Sequence, residues 1–435
     1  MRGLLTGSLP VTVPLLLGLA GALAGCVFLD VKQQQEKLQA ACTIKGTARS
    51  LQSGDRAIVV LLLRRNEAGE KKAAGAWEVA SQFVLERAGR FVFSVSSGRG
   101  TYTVAAFDDA DRNLVIEAGE SYITDKDIVT CTPGQLIDGF VLNIPATPER
   151  RTTGLEVAHL QARNLTEQVS SVFGQTVAVG ELTSLAEDMF KPEVAETGLW
   201  RPFDFLVDGY AGIYFLEAYD PRRIPILFVH GINDTPAAFH DLIRNLDHKK
   251  FQAWVYYYPS GLHLDVIADQ LDQTMTKLQL RHGVKRFGVV AHSMGGLVSR
   301  GFILRHQRTS PGSRIPLYFT ISTPWAGHKA AESGVKNAPV VVEVWHDMAP
   351  GSQYQQSLFA QPLPQGMAHH MIFTFQRRSS SFGESDDQSV TVASQLATPA
   401  QSNAVRVYGF DDTHVGVLRN PEVSKLLNEV LAKSF

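Results

Sequence analysis

The sequence lacks any strong balance of charge. Lys and Arg number 41, Asp and Glu 43, for a formal net charge of −2. Nucleic-acid binding draws on a basic field that this chain does not have. There is no long run of like charge, no repeat period and no low-complexity tract. A phosphate-binding glycine loop, a dinucleotide fingerprint and a recognisable metal motif are also missing, so no cofactor and no metal are expected. Cysteine is scarce, at three residues, and no charged residue stands between Arg2 and Asp30. The rest is ordinary for a folded protein. At 435 residues, 44% of them hydrophobic and 19% charged, the chain is long enough for two or three domains with sizeable cores.

The charge-free stretch reads "LLTGSLPVTVPLLLGLAGALAGC" behind Arg2, the pattern of a secretory signal. Its end, Leu23-Ala24-Gly25-Cys26, resembles the bacterial lipobox. The resemblance implies cleavage before Cys26, acylation of that cysteine (palmitate or a similar chain) and a membrane held through an N-terminal lipid anchor. Val27 in place of Asp implies sorting to the outer membrane, facing the periplasm or the outside. An uncleaved transmembrane anchor is the competing reading, since the run is long enough to span a bilayer. Pro10, Pro14 and the small residues before Cys26 weigh against it. Both readings put most of the chain outside the cytoplasm. With Cys26 acylated, Cys42 and Cys131 remain, an even number in an oxidising compartment, and a disulfide between them is expected. Two separately buried thiols are the alternative.

After a signal peptide at 1–25 comes a tether at 26–41, where "DVKQQQEKLQAA" reads as a short polar helix. Residues 42–146 then carry short runs rich in Val, Phe, Tyr and Thr: "RAIVVLLLRR", "WEVASQFVLE", "RFVFSVSSG" and "TYTVAAFDD". Gly, Asn and Asp punctuate them at sandwich spacing. "GRFVFSVSSGRGTYTVAAFDD" resembles part of a transthyretin-like or carboxypeptidase-regulatory-like β-sandwich, which implies an accessory domain without catalytic residues. "IPATPERRTTG" has the composition of a linker, and 147–199 reads as a helical, polar linker region.

From residue 200 to 435 strands and helices alternate. "RIPILFVH", "QAWVYYYP", "VKRFGVVAH", "IPLYFTIST", "HMIFTFQ" and "AVRVYGF" read as buried strands. Thr235 and Pro236 open one helix as N-cap and first residue. "HLDVIADQLDQTMTKLQL" gives another, with Leu264, Ile267, Leu271, Met275 and Leu278 inward and Asp265, Asp269 and Asp272 outward. Repeated βα units predict an α/β fold, a mostly parallel sheet with helices on both faces and a site at the carboxyl ends of the strands.

Ser293 stands where such a strand meets such a helix, in "VVAHSMGGLV". A nucleophile elbow needs small residues two before and two after the serine, and Ala291 and Gly295 supply them. "AHSMGG" resembles the elbow of bacterial lipases and esterases of the α/β-hydrolase superfamily. "FVHGIND", "TISTPWAGH", "GESDDQSVTVASQL" and "YGFDDTHVGVLRNP" resemble other segments of that superfamily, in the same order. The resemblance implies Ser293 as nucleophile, His414 as general base and Asp387 as the acid that orients it. Asp386 takes that role if the register slips by one, while Asp411 and Asp412 shape the loop. It implies backbone N–H groups of Ile232 and Met294 as the oxyanion hole, with His230 structural. The expected activity is hydrolysis of carboxylic, lipid or acyl esters. An acyltransferase and a non-catalytic envelope lipoprotein that binds through the same fold are the alternatives. The segment 328–369 is a candidate cap, with Trp345, Phe359 and Leu363 lining an apolar groove.

Overall fold

A computed structural model describes residues 28–54, 56–66, 77–95, 99–114, 116, 119–146, 171–172, 175–376 and 385–435. The signal segment, Cys26 and residues 147–170 and 173–174 of the linker region lie outside them.

Residues 28–39 are helical and form α1. Their side chains Val31, Gln34, Gln35 and Leu38 recur at helical spacing and face the C-terminal domain. Val31 and Leu38 pack on its core. The tether therefore lies along the protein rather than standing off it. Its apolar and amide stripe is narrow, and charged residues hide it in the sequence.

The β-domain holds two sheets. β1 (Cys42–Ser50) lies between β4 (Gly89–Val95) and β8 (Leu136–Ile144), antiparallel to the first and parallel to the second. β2 (Ala57–Arg65) lies between β3 (Trp77–Leu85) and β5 (Gly100–Asp109), which also pairs β6 (Tyr122–Thr124) and β7 (Val129–Cys131). β2 reads as an unbroken apolar run because both its faces are covered. Ile58, Val60 and Leu62 join the sandwich core. Val59, Leu61 and Leu63 join a second cluster that includes Leu280 of the C-terminal domain. Cys42 and Cys131 are bonded, with Cα atoms 5.7 Å apart and a sequence separation of 89, so β1 of one sheet is tied to β7 of the other. The chain-entropy model gives a loop of that length roughly 4–5 kcal/mol.

At one end of this domain Asp109 is fully buried, accepting from the N–H groups of Asn113 and Leu114. Burial, aided by the charges of Glu120 and Asp111, pushes its carboxyl up to about 7. Below the unfolded value of about 4 both states hold the proton; between there and pH 7 only the folded state does. The contribution of Asp109 to stability should therefore fall as pH rises from about 4 to about 7. The melting temperature of the wild type relative to Asp109→Asn should decline across that window, because only the wild type carries this proton; a difference that does not change with pH would contradict this.

The C-terminal domain is built on eight strands: β9 (Ala178–Leu182), β10 (Gly212–Phe215), β11 (Ile224–Val229), β12 (Phe251–Tyr257), β13 (Arg286–His292), β14 (Arg314–Ile321), β15 (Ala368–Phe375) and β16 (Arg406–Asp411). Their order is β9-β10-β12-β11-β13-β14-β15-β16, parallel except where β10 meets β12. Two findings depart from the sequence reading. Residues 178–182 form an edge strand, not helix: Ala178 and Val179 pair with Gly212 and Ile213, and long-range pairing overrides a polar local composition. The short β10 carries no predicted counterpart.

Helices α2 (Pro192–Trp200) and α3 (Pro202–Val207) precede the central strands. Thr235 caps the next turn, accepting from Ala237 N–H, and α4 (His240–Arg244) follows. α5 (Leu264–His282) buries all five predicted inward residues. Asp272, read as outward, is buried too, because His306 Nδ1 and the Thr309 hydroxyl meet its carboxylate. α6 (Met294–Thr309) packs beside α5. Three short helices, α7 (Lys329–Asn337), α8 (Glu343–Met348) and α9 (Gln353–Phe359), occupy the insertion before β15. The C-terminal helix α10 (Pro421–Ser434) packs beside α4.

Candidate active site

The apolar run of β13 ends at His292, and α6 begins at Met294. Ser293 alone makes the turn, with φ 53° and ψ −128°, a conformation that costs a non-glycine residue energy. The surroundings enforce it. Ser293 N–H donates to Ile321 O of β14 at 2.8 Å. Gly295 lies so close to β11 that a Cβ there would stand 2.3 Å from Val229 O. This is the physical reason for a small residue two after the serine.

His414 follows β16, and Asp387 follows β15 after residues outside the described set. The two loops are joined, since His414 N–H donates to Asp387 O at 2.9 Å. His414 Nδ1 lies 2.8 Å from Asp387 Oδ2, and His414 Nε2 lies 2.9 Å from Ser293 Oγ. A carboxylate only accepts, so Nδ1 carries the proton and Nε2 is left to accept from the serine hydroxyl. Asp387 is fully buried, and burial opposes its charge. Hydrogen bonds from His414, the Thr374 hydroxyl and Val390 N–H outweigh burial and hold the carboxyl below its usual range. Ser389 N–H and Gln395 Nε2 also donate to it. Asp386 closes the turn instead: its Oδ1 accepts from Gln388 N–H, and its backbone pairs with Thr391. Asp412 shapes the histidine loop, accepting from Thr413 N–H and from Asn420 Nδ2.

The loop after β11 comes against the serine from the other side. A Cβ on Gly231 would stand 3.0 Å from Ser293 Cβ. Ile232, next in that loop, lines the cavity above Ser293. Met294 is the first residue of α6, so its N–H has no carbonyl within the helix to receive it. His230 holds the loop. It donates from Nδ1 to Gly231 O, and its ring stacks on Tyr258 with centroids 4.1 Å apart. Burial drives its pKa down to about 3, so the ring is neutral.

Three neighbours carried no sequence signal. His292 Nε2 donates to His414 O at 2.9 Å, tying the elbow to the backbone of the base. Burial, then the charge of His414, hold His292 at about 3 and neutral. His328 donates from Nε2 to Ser389 O, bracing the Asp387 loop, while its Nδ1 accepts from Ala330 N–H. Asp234 lines the same cavity, and burial raises it to about 6.

The cavity measures about 640 Å³. Trp345 and Met348 of α8 and Ala330 and Ala331 at the start of α7 form its cap side. Phe359 and Leu363, expected to line it, do not. Phe359 packs on Trp325 and under the Arg300 guanidinium, and Leu363 packs on the core. Among the described residues one acidic group, Asp109, Asp111 and Glu120, brings its oxygens within 4.8 Å of one another; it lies in the β-domain, apart from this site.

The C-terminal domain has the α/β-hydrolase fold. Residues 263–434, from just before α5 to the end of α10, match the family described as "Alpha/beta hydrolase of unknown function (DUF915)". No curated protein matches the chain. Among solved structures, a Bacillus licheniformis lipase, BlEst2 in mature form, is 17% identical with a TM-score of 0.39, over 49% of this chain and 94% of that one. The lin2722 gene product of Listeria innocua is 14% identical with a TM-score of 0.39, over 48% and 94%. Lipase B of Aspergillus fumigatus is 13% identical with a TM-score of 0.39, over 51% and 56%.

Proposed function

We propose that this protein is a serine hydrolase that cleaves carboxylic esters, with lipid or other acyl esters as substrates. The observation that carries this reading is the single imidazole of His414 within hydrogen-bond reach of both the Ser293 hydroxyl and the Asp387 carboxylate, at 2.9 Å and 2.8 Å. Ser293 Oγ attacks the acyl carbon and His414 Nε2 takes its proton. The negative charge on the former carbonyl oxygen is held by the N–H groups of Ile232 and Met294. Each such donor is worth about 3–4 kcal/mol in related sites. The tetrahedral adduct then expels the alcohol, which leaves with the proton from His414. Water attacks the acyl-enzyme, gives a proton to the same nitrogen, and releases the acid as Ser293 regains its hydrogen. Asp387 keeps the ring in the required tautomer and stabilises the imidazolium.

In this reading the protein is a cell-envelope lipoprotein anchored through Cys26 at the outer membrane. A lipid anchor raises the effective concentration of the enzyme near acyl chains. Cys26→Ser should abolish acylation and release the protein from membranes, measured by palmitate labelling and fractionation. Continued anchoring would point to an uncleaved helix.

The test of substrate class uses the soluble form that starts after Cys26. It compares short p-nitrophenyl esters, long-chain esters and phospholipid vesicles. Turnover of long-chain or vesicle substrates is expected. Turnover of short soluble esters alone would remove the lipid part of the reading.

A further inference from the structure

The cap helix α8 has only six residues, too few to hold its own shape in water. Its position therefore rests on what grips it. The sequence EVWHDM puts Glu343 and Asp347 one helical turn apart, on a common face, and Trp345 and Met348 toward the cavity. Between the two carboxylates sits the imidazole of His263, the residue that precedes α5. His263 Nε2 lies 2.9 Å from Glu343 Oε2, and Nδ1 lies 3.1 Å from Asp347 Oδ2. The same Asp347 oxygen accepts from Leu264 N–H at 2.7 Å, the first residue of the 19-residue α5. Glu343 has a second donor, Gln35 Nε2 of α1 at 3.1 Å, which also reaches Val341 O.

With a carboxylate at each ring nitrogen, both nitrogens donate and His263 is a cation. Its hydrogen bonds to Asp347 and Glu343 raise it to about 10. His346 is the remaining titratable neighbour whose charge acts on Glu343. Trp345 is boxed in on the far side. Its ring meets Trp200 edge-on at 6.0 Å, and it lies on Gly334 of α7, where a Cβ would stand 2.6 Å from it.

We propose that the Glu343–His263–Asp347 clamp sets the length of acyl chain the cavity accepts, by fixing Trp345 and Met348 across its cap side. The proposal rests on the ester-hydrolase reading above. His263 does not line the cavity and is a positioning residue. It acts through α8, so its loss should alter which chains fit and leave the reacting atoms alone.

The experiment measures kcat and KM on p-nitrophenyl esters of short, medium and long acyl chain for the wild type, His263→Ala, the charge-neutral pair Glu343→Gln/Asp347→Asn, and Trp345→Ala. Labelling of Ser293 by a small fluorophosphonate is followed in parallel. Trp345→Ala widens the cavity directly and should raise the long-to-short ratio of kcat/KM about tenfold, the scale of a few methylenes gained in an apolar pocket. His263→Ala and the neutral pair should move the ratio the same way through KM for long chains, with the short-ester kcat and the rate of labelling retained. Two results overturn the clamp: a shift in Trp345→Ala with none in either clamp variant, or no shift in any variant. A wild type that cleaves no ester and leaves Ser293 unlabelled overturns the underlying hydrolase reading, and the clamp with it. The neutral pair keeps the shape of both side chains, so an unfolded His263→Ala does not blunt the test.

Discussion

Ser293→Ala is expected to lower kcat on esters by roughly 10⁴-fold or more, with His414→Ala of similar size. The reason is that the two act as one unit. Without the hydroxyl there is no nucleophile for the base to activate, and without the imidazole the hydroxyl keeps its proton. The fold should survive both changes. Ser293 contributes one oxygen at the end of a strand, and its strained turn is held by contacts that Ala keeps, the N–H bond to Ile321 O and the packing of Gly295 on β11. Circular dichroism and melting should match the wild type. The double variant should lose little beyond either single one, since a group that works only through its partner has nothing further to lose. Additive losses in the double variant would show that the two residues act separately.

Asp387→Asn should cost on the order of 10³–10⁴-fold in kcat, the size seen when an acid of this kind is neutralised elsewhere. The argument is about protons. Asp387 accepts from five donors: His414 Nδ1, the Thr374 hydroxyl, Gln395 Nε2, and the N–H groups of Ser389 and Val390. An amide can keep its oxygen toward Ser389 and Val390, but then its NH₂ faces His414. The imidazole must turn its lone pair to that group and carry its proton on Nε2, where it can no longer accept from Ser293. Asp386→Asn, one residue away, should stay within a few-fold of the wild type, because that carboxylate closes its own turn. A reversal of the two effects, measured as kcat/KM on one ester, would move the acid to Asp386.

The candidate site was legible in the sequence, and little of what supports it was. Ser293, Asp387 and His414 were legible as candidates because their segments resemble those of one superfamily in the same order, each after a predicted strand, and the fold brings the three side chains within hydrogen-bond reach. What braces them was not. His292 meets the backbone of a residue 122 positions away, and His328 one 61 positions away. A side chain that bonds to a carbonyl leaves no trace in the identity of its partner. The edge strand at 178–182 failed for a related reason, since its pairing with β10 lies outside any local pattern. Asp272 looked solvent-facing by periodicity because its partners, His306 and Thr309, sit on the next helix. The reading of Phe359 and Leu363 as groove residues used hydrophobicity alone, which does not tell a cavity wall from the core beneath it. Trp345 differs from both in its place on the cavity side of α8, a matter of helix orientation set by His263, Glu343 and Asp347.

The most direct test of the central claim is whether Ser293 is an activated nucleophile. The folded soluble protein is treated with a fluorophosphonate, digested, and mapped by mass spectrometry. The expected result is one modified residue, Ser293, with labelling lost in His414→Ala and on prior denaturation. A folded protein that cleaves no ester and leaves Ser293 unmodified, or that is labelled at another serine, would contradict it.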